Sequence, residues 1–283
     1  NDILKGNSEV NTINAGSGDD TLGGGAGADI LNGGSGDDVF VDTSFTGDTI
    51  DGGDHTINIG GTQGSSNAYT GKGDTIDYRN VTSKITLVLE DGGATTNVKV
   101  GNTTADHTIA NIENIYGSNT GDEITGNNLS NTILGFAGDD TIDGGAGADY
   151  LDGGDGVNTI SFRSFSNAVT VNLLAGNSSD GDTIISFRNI IGTNLSAQSD
   201  NLIGNNDANR IEGLAGNDIL EGLGGNDYLL GGEGNDTFIL RADDGIDTVD
   251  GGDGSGDMVD YSNLTSTQHL TLTLDTWTSK IAT

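Results

Sequence analysis

Aspartates in this sequence stand at a spacing that could hold cations. Asp20, Asp29 and Asp38 are nine residues apart, as are Asp140 and Asp149, and again Asp218, Asp227 and Asp236. Each lies two positions before a large apolar residue: Leu22, Leu31 and Phe40, then Ile142 and Leu151, then Leu220, Leu229 and Phe238. The register extends to Asp2, Asp122 and Asp200 before Leu4, Ile124 and Leu202. Asn11, Asn131, Asn158 and Asn209 hold the same polar position before Ile13, Ile133, Ile160 and Ile211. Glycines precede the acids at fixed offsets, as in Gly33-Gly34-Ser35-Gly36-Asp37-Asp38-Val39-Phe40. A glycine-rich turn brings backbone carbonyls close to a short carboxylate. Such an all-oxygen environment suits hard calcium, which takes about six to eight oxygen ligands.

Composition bounds the elements that must position these groups. The chain has 283 residues, 49 of them glycine, with no proline or cysteine, and a formal charge of -33. Of its 43 acidic residues only seven are Glu. Asp, Gly, Asn and Thr favour turns and caps over helix interiors, so a mostly helical protein is excluded. With 32% apolar residues the chain approaches the composition of disordered proteins, unless cations balance its charge. Phosphate backbones would be repelled, so no nucleic-acid partner is expected. Without cysteine there are no disulfides or thiolate metal sites. No apolar run is long enough to span a bilayer, and no Sec-type signal is present in this segment.

A fixed repeat of nine marks a stacked-coil architecture. The three runs resemble the RTX nonapeptide, Gly-Gly-x-Gly-x-Asp-x-U-x, in which U is a large apolar residue. That resemblance implies an all-β fold, a parallel β-roll or β-solenoid. Six residues of each unit form a turn, three form a strand, two units complete a coil, and several calcium ions lie between stacked turns. Alternate units then share a sheet, placing Leu4, Leu22 and Phe40 on one side and Ile13 and Leu31 on the other. By the resemblance, the metal ligands are Asp2, Asp20, Asp29, Asp38, Asp122, Asp140, Asp149, Asp200, Asp218, Asp227 and Asp236. Asn11, Asn131, Asn158 and Asn209 offer a neutral oxygen, and weaker sites are expected there.

The segments between runs repeat as well. Asp74-Thr75-Ile76-Asp77-Tyr78-Arg79-Asn80 matches Asn158-Thr159-Ile160-Ser161-Phe162-Arg163-Ser164 and Asp257-Met258-Val259-Asp260-Tyr261-Ser262-Asn263. Alternating strands follow at 84–89, 168–173 and 269–274. The organisation is therefore an RTX block at 1–41, a β linker at 42–120 with an inserted loop at 52–73, and a second block at 121–161. A β linker at 162–198, a third block at 199–239 and the start of a truncated unit at 240–283 follow. One continuous solenoid with wider or irregular coils between blocks is expected, with separate sandwich modules as the alternative. A shorter insertion is expected around 243–257. Asp48, Asp51, Asp54, Asp247, Asp250, Asp253 and Asp257 read equally as extra calcium sites or as solvated loop acids.

No Walker loop, nucleophile elbow or zinc-protease motif is present. His55, His107 and His269 lack ligand spacing and are expected to be solvent-exposed or on a strand face. Tyr69, Tyr116, Tyr261 and Trp277 are expected in packing roles, and Arg79, Arg163 and Arg188 in local salt bridges. The expected function is a calcium-dependent, non-enzymatic structural segment of a secreted bacterial surface protein of S-layer or adhesin type. The resemblance implies type I secretion. Partners would be calcium, copies of the chain in a surface array, or cell-surface polysaccharide. The calcium-binding portion of a secreted hydrolase, epimerase or toxin is the alternative.

Overall fold

A unit with one large apolar residue in nine can bury that residue only by facing it across a shared interior. The computed structural model describes residues 1–41, 47–54, 73–101, 107–241 and 245–263, and these contain strands and no helix. Two compact units divide the chain at Asn158/Thr159. In each, strands alternate between two sheets.

In the first unit, one sheet runs Ile3–Lys5, Thr21–Gly23, Val39–Val41, Thr75–Asp77, Asn114–Tyr116, Thr132–Leu134 and Tyr150–Asp152. These neighbours are parallel and in register through their apolar residues: Leu4 on Leu22, Phe40 on Ile76, then Ile115, Ile133 and Leu151. The second sheet stacks Ile13, Leu31, Ile50 and Ile109 in the same way. The expected sidedness of the repeat is therefore present. Leu22, Phe40, Ile76, Ile115, Ile133 and Leu151 are fully buried.

The coil passes from the first nonapeptide block through the linker into the second without leaving these sheets. The linker is not simply a wider parallel coil, however. Ile85–Val88, Thr96–Val100 and His107–Ala110 form an antiparallel meander within the second sheet, bonded to Thr49–Asp54 on one side and Glu123–Thr125 on the other. In the second unit Thr170–Asn172, Asn177–Ser178 and Thr183–Ile185 make a corresponding meander. Two strands joined by a short turn add sheet width without adding a coil, which a one-dimensional repeat does not reveal.

Thr49–Asp54 and Thr248–Asp253 are strands, paired with Ile30–Ser35 and Tyr228–Glu233. The segments expected to project as loops thus contain regular coil at 52–54 and 248–253. Residues 55–72, with His55 and Tyr69, and residues 264–283, with His269, Trp277 and the third alternating strand, lie outside the described residues. His107 is on a strand but is buried, its ring stacked on Tyr78 at 5.6 Å with Nε2 3.0 Å from the Tyr78 hydroxyl. Arg79 pairs with Asp77 at 2.6 Å and Arg163 with Glu212 at 3.8 Å. The Arg79 guanidinium also lies 5.3 Å from the Tyr116 ring centre.

Positive φ at the second turn position is structural. A Cβ on Gly34 (φ 114°) would meet the Gly16 carbonyl at 2.1 Å. Phe136, Leu214 and Leu223 occupy the equivalent slot at φ 72°, 75° and 70°, an unusual conformation for bulky residues.

Ile133, packed between Ile115 and Leu151, tests the column. Ile133→Ala should cost about 3 kcal/mol, since the interior cannot collapse around one missing side chain. The loss is measurable as a lower urea midpoint in saturating calcium.

Candidate metal centre

Stacking the coils brings the repeated polar residues into columns, and one hydrogen bond joins each to the coil before it. The Asp20 N–H donates to Asp38 Oδ1 at 2.8 Å, Asp122 N–H to Asp140 Oδ1 at 2.7 Å, and Asp218 N–H to Asp236 Oδ1 at 2.8 Å. Asp2 and Asn11 donate their N–H groups to Asp20 and Asp29, Asn131 to Asp149, Asp200 to Asp218, and Asn209 to Asp227. In these pairs the partners are eighteen residues apart, one full coil.

The second carboxylate oxygen has a different environment. Oδ2 of Asp20, Asp29, Asp38, Asp140, Asp218 and Asp236 is buried and accepts no hydrogen bond. For Asp38, Asp140, Asp218 and Asp236 it points at the first glycine of the same turn, where a carbonyl from the next coil also converges. A Cβ on Gly33 would lie 2.2 Å from Asp38 Oδ2 and 2.7 Å from the Gly52 oxygen. On Gly135 it would lie 2.4 Å from Asp140 Oδ2 and 2.8 Å from the Gly153 oxygen. On Gly213 the corresponding distances are 2.5 Å to Asp218 Oδ2 and 2.7 Å to the Gly231 oxygen. Two oxygens directed at one point with no hydrogen between them repel, and burying an uncompensated carboxylate is costly.

That cost appears in the acidities. Burial pushes Asp218 up to about 7 and Asp140 to about 6, against the hydrogen bonds from Asp200 and Asp122, with the neighbouring carboxylates adding to the rise. Asp38 and Asp236 are raised by burial as well. A hard divalent cation removes both penalties, and the donor set of carboxylate plus carbonyl oxygens fits calcium. Among the described residues no three His, Cys, Asp or Glu side chains converge on one point, so carbonyls must complete any such site.

The opening polar residues of the blocks differ. Asp122 Oδ2 accepts the Ser118 N–H at 2.6 Å, and its Oδ1 accepts the Ser118 hydroxyl and the Ile85 N–H. Asp200 Oδ2 accepts the Thr193 N–H at 2.7 Å, and its Oδ1 accepts the Thr193 hydroxyl and the Val169 N–H. Asn131 Oδ1 accepts the Asn127 N–H, while Nδ2 donates to Asn127 Oδ1 and the Glu113 carbonyl. Asn209 repeats this with Asn205 and the Arg188 carbonyl, and Asn11 Oδ1 accepts the Asn7 N–H. The protein itself satisfies these side chains. Asn158 Oδ1 accepts the Asp140 N–H at 2.9 Å, continuing the column, and the Asp2 side chain is exposed. A sequence signal exists for these exceptions: Gly-Ser, Gly-Thr or Gly-Asn stands where most other units have Gly-Gly, Gly-Phe or Gly-Leu, as at Gly117-Ser118 and Gly126-Asn127.

Further members of the columns lie off the nine-residue register. Asp48 and Asp247 accept the N–H groups of Asp29 and Asp227, and Asp257 accepts that of Asp236. Asp257 Oδ2 is buried without a hydrogen bond. Asp51 instead accepts the Asn111 amide at 2.7 Å.

The sign of the pH response follows from these acidities. A carboxyl raised in the folded state binds its proton more tightly there than in the unfolded chain. The contribution of these carboxyls to metal-free stability is therefore fully present below pH 4 and is lost as pH rises through 6 to 7. In excess chelator, the β signal in circular dichroism should increase on going from pH 8 to pH 5. Calcium affinity should fall over the same interval, since protons compete for the same oxygens.

The family model described as "RTX calcium-binding nonapeptide repeat (4 copies)" matches residues 1–40, 125–160 and 203–238. No curated protein matches the sequence. The matched stretches contain Leu4, Leu22, Phe40, Ile133 and Leu151 of the stacked apolar residues, and Asp20, Asp29, Asp38, Asp140, Asp218 and Asp236 with their unsatisfied Oδ2 atoms. The chain thus carries RTX calcium-binding nonapeptide repeats, built as parallel β-roll coils.

Proposed function

We propose that this chain is a calcium-dependent folding segment of a secreted bacterial cell-surface protein, of the S-layer or adhesin type. One observation carries the calcium part: a buried, unpartnered Asp oxygen faces a glycine carbonyl in coil after coil. Asp20, Asp29, Asp38, Asp140, Asp218 and Asp236 would hold the ions, with Asp149 and Asp227 at equivalent positions. Bound calcium supplies the positive charge that these oxygens lack. Without it, the chain's -33 charge and its buried carboxylates oppose compaction. Binding free energy then becomes folding free energy. Export through a calcium-poor cytoplasm followed by folding outside the cell is consistent with that coupling. The surface role draws support from tandem repetition: linker, meander and nonapeptide block recur as a larger unit.

Calcium titration followed by circular dichroism tests the coupling. β structure should be largely absent in excess chelator and appear cooperatively as calcium is added; full β structure in chelator would sink the folding mechanism. Asp140→Asn should raise the calcium midpoint several-fold, whereas Asp19→Asn, at an exposed side chain that keeps an oxygen for the Asp37 N–H, should leave it nearly unchanged. For the surface role, electron microscopy of the secreted full-length protein with calcium should show ordered arrays or cell-attached fibres. A catalytic domain active without such assembly would favour the enzyme or toxin setting.

A further inference from the structure

The columns do not stop where the nonapeptide stretches stop. We infer that the chain holds a further divalent-cation site outside them, formed by the Asp74 carboxylate and the Asn111 carbonyl where they converge on Gly52. It rests on the calcium reading of the nonapeptide turns and extends it to a coil that the RTX motif does not mark.

Asp74 is 1% exposed. Its Oδ1 accepts the Asp38 N–H at 2.7 Å, the same rung that links the nonapeptide coils. Its own N–H donates to Glu113 Oε2 at 2.8 Å, so Glu113 serves as the next member of the column. Asp74 Oδ2 is buried and accepts no hydrogen bond. A Cβ on Gly52 would lie 2.4 Å from that oxygen and 2.0 Å from the Asn111 carbonyl oxygen. The arrangement reproduces the one at Gly33, where Asp38 Oδ2 and the Gly52 carbonyl converge. Asn111 contributes its carbonyl from a left-handed conformation (φ 53°), which Asn tolerates better than most residues. Its side-chain amide is held by Asp51 Oδ1 at 2.7 Å, which fixes the direction of that carbonyl.

Sequence spacing conceals the site. From Gly33 to Asp38 is five residues, but from Gly52 to Asp74 is twenty-two, because residues 55–72 stand between the two halves of one turn. Gly52-Gly53 and Gly73-Asp74-Thr75-Ile76 are the separated ends of a single Gly-Gly…Gly-Asp-x-U-like unit.

The test counts calcium bound to the full chain by equilibrium dialysis with calcium as the sole metal. Asp74→Asn keeps an oxygen for the Asp38 N–H and replaces only Oδ2, so the rung survives while one ligand is lost. This variant should bind one ion fewer than the unaltered chain, with unchanged circular dichroism in saturating calcium. Asp19→Asn, at an exposed side chain outside the inner column, should bind the full number. Equal stoichiometry in Asp74→Asn and the unaltered chain overturns the inference: Asp74 would then be a protonated acid donating to the Asn111 carbonyl. If the unaltered chain binds no calcium, the nonapeptide reading fails and this site fails with it, a result distinct from equal stoichiometry. Should Asp74→Asn not fold, anomalous diffraction from calcium-grown crystals of the unaltered chain decides. A peak between Asp74 Oδ2 and the Asn111 oxygen supports the site, and a water or no density there overturns it.

Discussion

Everything in this fold depends on the two oxygens of one carboxylate doing different things. Oδ1 accepts a backbone N–H from the coil before, which fixes the coil spacing and register. Oδ2 is thereby turned inward, towards glycine carbonyls that offer it no proton. A longer side chain would not hold both positions from so tight a turn. The scarcity of Glu and the excess of glycine follow from that geometry, since a Cβ at Gly33 or Gly213 would occupy the space where the oxygens meet.

A second set of Asx side chains stitches the coils in the opposite direction. Asp19 Oδ1 accepts the Asp37 N–H, Asp139 that of Val157, and Asn217 that of Asn235. Each of these residues immediately precedes a column member, yet it reaches forward to the next coil instead of back. Adjacent turns are therefore fastened from both sides by hydrogen bonds that need no metal. The buried carboxylate oxygens without a hydrogen bond lie in the inner column, where the proposed metal sites are. The pKa values that burial raises at Asp140 and Asp218 reflect that division, since the forward-reaching Asp139 and Asn217 beside them are exposed.

The nine-residue register, through its resemblance to the RTX repeat, made the roll, the two-sided stacking and the main Asp columns legible from sequence. Leu4 on Leu22 and Ile13 on Leu31 follow from period and alternation. Which column side chains the protein satisfies is not carried by the nine-residue register, because that depends on whether a Ser118, Thr193 or Asn127 stands in the second turn position and folds back. Asp48, Asp247 and Asp257 escaped the register because each follows its predecessor by ten or eleven residues. The antiparallel meanders had no periodic signature either: alternation at 84–89 and 168–173 announces a strand but not the direction of its neighbour.

The interval of the rungs also gives the molecule a rule for changing length. A hydrogen bond spanning eighteen residues returns the chain to the same sheet and the same column. Loss or duplication of eighteen residues therefore leaves every later side chain facing as before. A change of nine exchanges the two sheets for everything downstream, sending each meander and each inner column to the opposite face. Growth of such a chain is permissive in whole coils and disruptive in halves. Segments placed between the two ends of one turn, as residues 55–72 are, escape the rule because the rung closes behind them.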